Sequence, residues 1–195
     1  IIFDLDDTIY PQKNYDNPAL MKVSGYLEKI VQINKNIIFN NLRKLKKIRR
    51  GNPPKLVFDD FLEDKDIKNK KKIITKCVSL FQNYNCIELK KSKSLKVMLK
   101  AIYKKKYLFL VTNGFLKRQN NKINNLGIKK YFKKVFILDG KKKKIKPSIS
   151  DVSPLVKFIN RNKKLNGVFV GDNKDTDQKF AQNLKIKFIF FQFPI

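Results

Sequence analysis

Apolar residues recur along the chain in short runs that are separated by stretches with helical spacing. The runs, each followed by polar residues, span 1–3, 107–111, 135–138, 167–170 and 186–191. Continuous apolar runs of this length are typical of strands that are buried on both faces of a sheet. Before the run at 107–111, apolar residues recur at the spacing of one helix face. They are Leu95, Met98, Leu99 and Ile102. The alternation predicts an α/β fold with a doubly wound parallel sheet.

Residues 12–90 interrupt this alternation with helical patterns alone. The first helix is predicted to begin at Asn17 as its N-cap, with Pro18 in the first helical position. Further helical stretches are predicted over 37–49 and 56–89. This long helical segment therefore indicates an insertion between the first strand and the rest of the sheet.

At 195 residues, the chain has the length of one core domain with a smaller insertion. We predict a core domain of residues 1–11 and 91–195 and a helical domain of residues 12–90. Three apolar residues precede Asp4, whereas a strand in a globular protein usually has about five residues. We therefore expect further residues before Ile1 in the complete protein.

Polar side chains follow four of the predicted strands. They are Asp4 and Asp6 after the first, Thr112 and Asn113 after the second, Lys146 beyond the third, and Asp172 and Asp177 after the fourth. Because ligands bind at the carboxyl ends of the strands in such sheets, we expect these side chains to share one site. Buried ionised carboxylates must be paired, hydrogen-bonded or metal-bound, so a cation is expected near Asp4. Asp4 and Asp6 begin on one face of their strand, so both can act at one small site.

These four groups of residues resemble the motifs of the haloacid dehalogenase (HAD) superfamily along the whole chain. The superfamily motifs are DxDx[TV], a Ser or Thr at a strand end, a Lys commonly followed by Pro, and GDxxxxD or a close variant. Here they read DLDDT, TNG, KP and GDNKDTD, in the same order. The helical insertion after the first motif further resembles the subgroup with a helical cap in that position. DLDDTIYP, and TNG followed by Gln119, Lys122 and Leu126-Gly127, look most like phosphatases of the nucleotidase type.

The resemblance implies a Rossmann-like core with an inserted helical cap, and a role for each motif residue. Asp4 would be the nucleophile that forms an aspartyl-phosphate, and Asp6 would protonate the leaving oxygen and later activate water. Thr112 and Asn113 would bind the substrate phosphate. Lys146 would also contact it and offset its negative charge. Phosphoryl transfer needs this neutralisation of charge on the transferred group, which agrees with the implied roles.

The same resemblance implies a magnesium site. Its ligands would be Asp4, Asp172 and Asp177, with Asp6 contributing its backbone carbonyl. An oxygen-rich site that leaves places for water and phosphate suits Mg²⁺, and a chain without His and without clustered Cys has few other options.

One alternative within the superfamily stays open. A sugar-phosphate mutase uses the same acid as Asp6, whereas related dehalogenases generally lack it, because a halide leaving group needs no proton. Asp7 stands where many relatives carry Gly. It is expected to be a turn residue that also restricts the size of the substrate.

The charge of the chain raises an alternative from a different class. Lys and Arg number 45 against 16 Asp and Glu, a formal net charge of +29, which indicates nucleic acid or another anionic partner. The alternative is therefore a basic nucleic-acid-binding protein on a degenerate phosphatase fold. The chain is also rich in Asn, Ile and Phe and lacks Trp and His, as AT-rich codon usage produces without selection for binding. Intact motifs favour catalysis, and the lysine run at 141–144 is predicted to be a solvated loop.

Cysteine usage and hydropathy indicate a cytoplasmic protein. Cys77 and Cys86 form no CxxC pair, so we expect reduced thiols that are buried as small apolar residues. No apolar run approaches the ~20 residues of a membrane span, and no signal peptide precedes the first strand, so we expect a soluble intracellular protein unless the missing N-terminal residues carry a signal. The expected partner is a small phosphorylated metabolite, with a nucleoside 5'-monophosphate as one candidate. We expect a monomer or homodimer and no membrane partner.

Overall fold

The described part of the chain contains a parallel sheet of five strands. The computed structural model describes residues 1–48, 54–91, 93–139, 145–162 and 166–193. The strand order is β3-β2-β1-β4-β5, and each neighbouring pair is parallel. The strands are β1 (Ile2–Phe3), β2 (Phe109–Asn113), β3 (Lys134–Leu138), β4 (Val168–Gly171) and β5 (Lys187–Phe190). The predicted α/β fold with a parallel sheet is confirmed.

Eight α-helices are described besides short 3₁₀ turns. They are α1 (Lys13–Val31), α2 (Lys35–Ile48), α3 (Pro54–Leu62), α4 (Lys70–Gln82), α5 (Lys93–Tyr103), α6 (Leu116–Leu126), α7 (Ser153–Arg161) and α8 (Lys179–Asn183). A single π-helical turn, Lys174–Gln178, directly precedes α8. None of the described helices is long and apolar enough to cross a membrane.

The chain forms two compact units. The first contains Ile1–Gln12 and Ile87–Ile195, and the second contains Lys13–Cys86. The sequence placed the helical domain at 12–90, so the two divisions differ by one residue at the first boundary and four at the second. The predicted end of a helix at 49 and the lysine run at 141–144 lie outside the described residues.

The core of the first unit explains why its strands are almost entirely apolar. β1 lies between β2 and β4, with Ile2 opposite both Phe109 and Phe169. These three side chains are buried in one cluster with apolar residues of α7 and α8. Burial on both faces leaves no solvent-facing position for a polar residue within β1. The first polar side chain therefore comes directly after β1, where Asp4 lies at the edge of the sheet.

β2 lies two residues further along the chain than the predicted run 107–111. Its pairing with β3 continues through Thr112, opposite Ile137, and Asn113, opposite Leu138. Both residues therefore belong to the strand itself instead of following it. Gly114 then reverses the chain with a φ of 148°, a conformation that favours glycine.

The predicted start of the first helix is wrong. α1 begins at Lys13, and Pro18 lies inside it. Proline has no N–H, so it cannot bond to the carbonyl four residues earlier, which belongs to Asn14. The Cys86 thiol donates to this Asn14 carbonyl at 3.3 Å. A contact from a residue far along the chain thus compensates for the proline, and no local sequence pattern contains it.

Candidate active site

Three carboxylates meet at the carboxyl edge of the sheet. Asp4 follows β1, Asp172 follows β4, and Asp177 lies in the π-helical turn. One oxygen atom from each lies within 4.8 Å of the other two. Asp4 and Asp177 are buried, whereas Asp172 is partly exposed. Two of the three carboxylates are therefore shielded from solvent.

Lys146 joins two of these carboxylates. Its Nζ donates to Asp4 Oδ1 and Asp177 Oδ1, both at 2.5 Å, and its side chain is 3% exposed. Burial acts to lower the pKa of Lys146, but the two carboxylates outweigh it and raise the pKa above its usual value. Lys146 therefore carries a fixed positive charge inside the site.

The site holds more negative charge than Lys146 neutralises. Burial, opposed by Lys146 but reinforced by Asp177, raises the pKa of Asp4 to about 7. Burial and the charge of Asp177 raise the pKa of Asp172 to about 6. Three carboxylates against one ammonium form an oxygen-only donor set with an excess of acidic groups. These residues fit a hard divalent ion such as Mg²⁺.

The loop after β4 is built to hold Asp177 at the sheet edge. The Asn173 side chain accepts hydrogen bonds from the backbone N–H groups of Asp175 and Thr176, and the Asn173 N–H donates to Asp177 Oδ2 at 3.2 Å. A Cβ at Gly171 would lie 2.3 Å from Asp177 Oδ2. Only glycine at this position therefore lets the Asp177 carboxylate enter the site.

The Asp6 carboxylate belongs to a separate cluster. Lys122 Nζ donates to its two oxygens at 2.7 and 2.9 Å, Gln119 donates at 3.0 Å, and the Tyr10 hydroxyl donates at 2.5 Å. Burial acts to raise the pKa of Asp6, but the charges of Lys122 and Arg118, with hydrogen bonds from Lys122 and Tyr10, lower it to about 2. The resemblance gave Asp6 a place at the metal through its backbone carbonyl alone, and its side chain is not among the three clustered carboxylates.

Thr112 and Asn113 both lie at the site edge, with different partners. The Thr112 hydroxyl is buried and accepts a hydrogen bond from Gln119 at 2.7 Å. Asn113 Oδ1 accepts the backbone N–H of Lys146 at 2.9 Å. Asn113 therefore holds the segment that carries Lys146, in addition to any contact with phosphate.

The sequence predicted no role for three residues that donate hydrogen bonds to the Asp6 carboxylate. Tyr10 lies four residues after Asp6, and Gln119 and Lys122 lie one turn apart on α6. The available signal was the presence of Gln and Lys on the face of α6 that also carries Ile123 and Leu126, where apolar residues are expected. Asp7 adopts a left-handed conformation and its carboxylate accepts the Gln12 N–H at 2.8 Å, which confirms its predicted role in the turn.

Sequence comparison identifies the family. The family model described as haloacid dehalogenase-like hydrolase matches residues 1–191. The chain belongs to the haloacid dehalogenase-like hydrolases. No protein with a curated description matches the sequence significantly.

Solved structures share the fold of this HAD-like hydrolase at low sequence identity. A Clostridium difficile protein assigned as a phosphatase is 17% identical, with a TM-score of 0.65 over 97% of this chain and 82% of its own. Bacillus subtilis YfnB, assigned as a HAD-hydrolase and solved bound to magnesium, is 16% identical, with a TM-score of 0.63 over 97% and 84%. A Thermotoga maritima protein assigned as β-phosphoglucomutase is 18% identical, with a TM-score of 0.60 over 100% and 85%.

Proposed function

We propose that this HAD-like hydrolase is a Mg²⁺-dependent phosphatase that hydrolyses a small phosphate monoester through an aspartyl-phosphate on Asp4. The observation that carries the proposal is the position of the Asp4 carboxylate. It lies at the centre of the sheet edge, clustered with Asp172 and Asp177 and bound by Lys146. No structural need explains three carboxylates and a buried lysine at the ends of hydrophobic strands.

The proposed reaction begins with Asp4. One of its oxygens attacks phosphorus, the bond to the leaving oxygen breaks, and an aspartyl-phosphate forms. Lys146 and the Thr112 hydroxyl donate to the oxygens of the transferred group, where negative charge must be stabilised. A water molecule then attacks phosphorus, which releases phosphate and restores Asp4.

Asp6 transfers protons in both halves of this reaction. It gives a proton to the leaving oxygen and later takes one from the attacking water. With a pKa of about 2, Asp6 is ionised near neutral pH, which suits the second task. The first task requires a proton on Asp6. The dianionic phosphate of a bound substrate favours protonation of Asp6, because a like charge raises the pKa of a carboxyl group.

We assign Asp4, Asp172 and Asp177 as the residues that would hold Mg²⁺, with the backbone carbonyl of Asp6. The ion would neutralise charge on the phosphoryl oxygens. Support comes from the oxygen-only cluster and from the raised pKa values of Asp4 and Asp172, which burial and the neighbouring Asp177 carboxylate produce.

For the substrate, we propose a phosphorylated metabolite in the cytoplasm, with nucleoside 5'-monophosphates as the first class to test. The insertion of the helical unit directly after the Asp4 segment supports a role for Lys13–Cys86 as a cap that selects the substrate. Cys77 and Cys86 are buried and are not joined in a disulfide, which agrees with a reducing compartment.

Release of phosphate from a panel of monoesters with Mg²⁺ tests the proposal. Asp4→Asn is expected to lower activity by at least about 10³-fold, because the amide cannot form the phosphoryl-enzyme. Asp151→Asn, the same substitution at an exposed position, is the matched control and should retain activity. Activity that survives Asp4→Asn would exclude the mechanism.

A sugar-phosphate mutase is the second candidate, favoured by the structural similarity to the Thermotoga maritima protein. A mutase returns phosphate to a sugar hydroxyl, so ³¹P NMR with hexose monophosphates separates the two. Release of inorganic phosphate supports the phosphatase, whereas an isomeric sugar phosphate without release supports the mutase.

A further inference from the structure

Two buried polar side chains on α6 have no role in the reaction described so far. Gln119 and Lys122 lie one turn apart, and each is 0% exposed. We refer to them as the α6 pair. Positions on the inner face of a helix normally carry apolar residues, and a buried Gln or Lys is unfavourable unless its polar atoms are bound. The contacts of the α6 pair therefore indicate what it does.

Lys122 fixes the carboxylate of Asp6. Its Nζ donates to both Asp6 oxygens, while the Tyr10 hydroxyl adds a donor to Oδ1 and Gln119 adds one to Oδ2. Each oxygen of Asp6 thus accepts two hydrogen bonds. A carboxylate held by three donor groups through four bonds has one orientation, and Lys122 supplies two of the four bonds.

Gln119 links Asp6 to Thr112. Its Nε2 lies 3.0 Å from Asp6 Oδ2, 2.7 Å from the Thr112 hydroxyl oxygen and 3.2 Å from the Asn113 carbonyl, so its two N–H groups are shared among three acceptors. The carboxylate and the carbonyl can only accept, so the amide nitrogen must face them. Because the Thr112 oxygen accepts from Gln119, its own proton is directed elsewhere. Gln119 thereby leaves Thr112 as a donor.

The surroundings of Gln119 show that its hydrogen bonds to Asp6 and Thr112 are made at the expense of stability. A Cβ at Gly114 would lie 3.0 Å from Gln119 Cγ and Cδ, so the turn after β2 leaves room for the amide. Gln119 Oε1 is buried and has no hydrogen-bond partner among the described residues. An unsatisfied buried acceptor lowers stability, which is unexpected for a residue kept only for packing.

We propose that the α6 pair consists of positioning residues: Lys122 holds the Asp6 carboxylate in one orientation, and Gln119 sets the placement of Asp6 relative to the Thr112 hydroxyl. The inference rests on the proposed phosphatase reaction, in which Asp6 transfers protons and Thr112 binds phosphate. Lys122 and Gln119 act through these two side chains without touching the substrate.

The first test separates proton donation from general damage by varying the leaving group. Lys122→Met is compared with Lys117→Met, the same substitution at an exposed position of α6. A misplaced proton donor slows the release of an alkoxide, which needs a proton, more than that of p-nitrophenolate, which does not. We expect Lys122→Met to lower kcat/KM for an alkyl phosphate by about 10²-fold, and for p-nitrophenyl phosphate by less than about threefold.

An equal loss with both substrates would overturn the role of Lys122, as would activity equal to that of Lys117→Met. Should Lys122→Met fail to fold, Lys122→Arg keeps the positive charge but moves it, because the guanidinium is planar and longer. The expected result is the same preferential loss on the alkyl phosphate, and the same two outcomes would overturn the role.

The second test addresses Gln119. Gln119→Met removes the hydrogen bond to Thr112 while it keeps an unbranched side chain of similar length. Inorganic phosphate is the probe, titrated in the presence of Mg²⁺. We expect its affinity to fall about 3- to 10-fold, the usual effect of one lost hydrogen bond. Thr112→Val should weaken phosphate binding similarly, and the double variant no further. Additive losses in the double variant would show that Gln119 does not act through Thr112.

A third readout does not depend on activity, so it distinguishes failure of this inference from failure of the proposed function. A crystal structure of Lys122→Met is expected to show the Asp6 carboxylate turned away from its position in the wild-type protein. An unchanged Asp6 would overturn the role of Lys122 even in an active phosphatase. A wild-type protein without phosphatase activity but with Asp6 displaced in this variant would refute only the proposed function.

Discussion

At the residue scale, the site divides into two charge systems that share one short segment. Asp4 pairs with Lys146 and lies beside Asp172 and Asp177, whereas Asp6 pairs with Lys122. In the first system, burial reinforced by Asp177 raises the pKa of Asp4 despite the contact with Lys146. In the second, the lysine dominates and the pKa of Asp6 is lowered. The carboxylates of Asp4 and Asp6, two residues apart, therefore differ in pKa because they have different neighbours.

Metal affinity is predicted to depend on pH. The pKa of Asp4 is raised to about 7 and that of Asp172 to about 6, so both carboxyls hold protons in mildly acidic solution. Mg²⁺ must displace these protons, and its affinity therefore increases as pH rises through this range. We expect binding to be at least about tenfold tighter near pH ~8 than near pH ~5.

Calorimetric titration of the protein with Mg²⁺ at several pH values measures this effect. Asp172→Asn removes one of the two titrating groups and should reduce the pH dependence, whereas the exposed Asp151→Asn should not. An affinity that stays constant across the range would contradict the assignment of these carboxylates as the metal site.

At the element scale, the segment from β4 to α8 positions one carboxylate, that of Asp177. β4 ends at Gly171, Asn173 binds the first N–H groups of the turn, and the π-helical geometry brings Asp177 back to the strand end. π-helical turns are rare and are often found at functional sites. The glycine allows the close approach, and Asn173 sets the direction of the turn.

Gly171→Ala is predicted to damage this segment. The added Cβ would overlap Asp177 Oδ2, so either the strand end or the carboxylate must move. We expect a loss of about 1–3 kcal/mol in the free energy of unfolding and weaker Mg²⁺ binding. Urea denaturation and metal titration measure the two effects.

Gly25→Ala is the matched control, because a Cβ there meets nothing within 4 Å. In the middle of α1 this substitution is expected to be neutral or stabilising. If Gly171→Ala binds Mg²⁺ as tightly as wild type, the close approach of Asp177 is not required for the metal site.

At the scale of the whole molecule, the formal charge of +29 is the dominant feature. Its positive field attracts a phosphorylated substrate without any specific binding surface. Among the described residues, most lysines outside the site lie at exposed positions. AT-rich codon usage can produce such lysines without selection, and substrate capture can still benefit from them.

The field predicts a salt-dependent rate of capture. Raising ionic strength from about 0.01 to 0.15 M shortens the Debye length from about 30 to 8 Å. We expect kcat/KM for a dianionic monoester to fall several-fold, while kcat changes little, because chemistry occurs beside buried charges. Steady-state kinetics across a salt series measures both.

The nucleic-acid alternative makes a different prediction under the same conditions. Binding of single-stranded nucleic acid should then weaken steeply and log-linearly with salt, without hydrolysis of any monoester. That outcome would favour the nucleic-acid-binding hypothesis over the phosphatase hypothesis. A salt-independent kcat/KM would show that the charge does not assist the substrate.

The sequence by itself determined the sheet and the residues at its edge. Buried parallel strands are continuous apolar runs, so their positions are local information, and polar residues directly after them are visible without a structure. Local patterns misplaced the start of α1, because the Asn14 carbonyl is satisfied by Cys86 from far along the chain.

Only the tertiary structure decided the partners of each charge. Forty-five basic residues make any lysine unremarkable in the sequence, yet Lys146 and Lys122 alone reach Asp4 and Asp6 among the ion pairs described for these two carboxylates. Which lysine meets which carboxylate depends on how α6 and the segment after β3 pack against the sheet. The same packing sets the burial that moves each pKa, so the separation of Asp4 from Asp6 is a property of the fold and not of the motif.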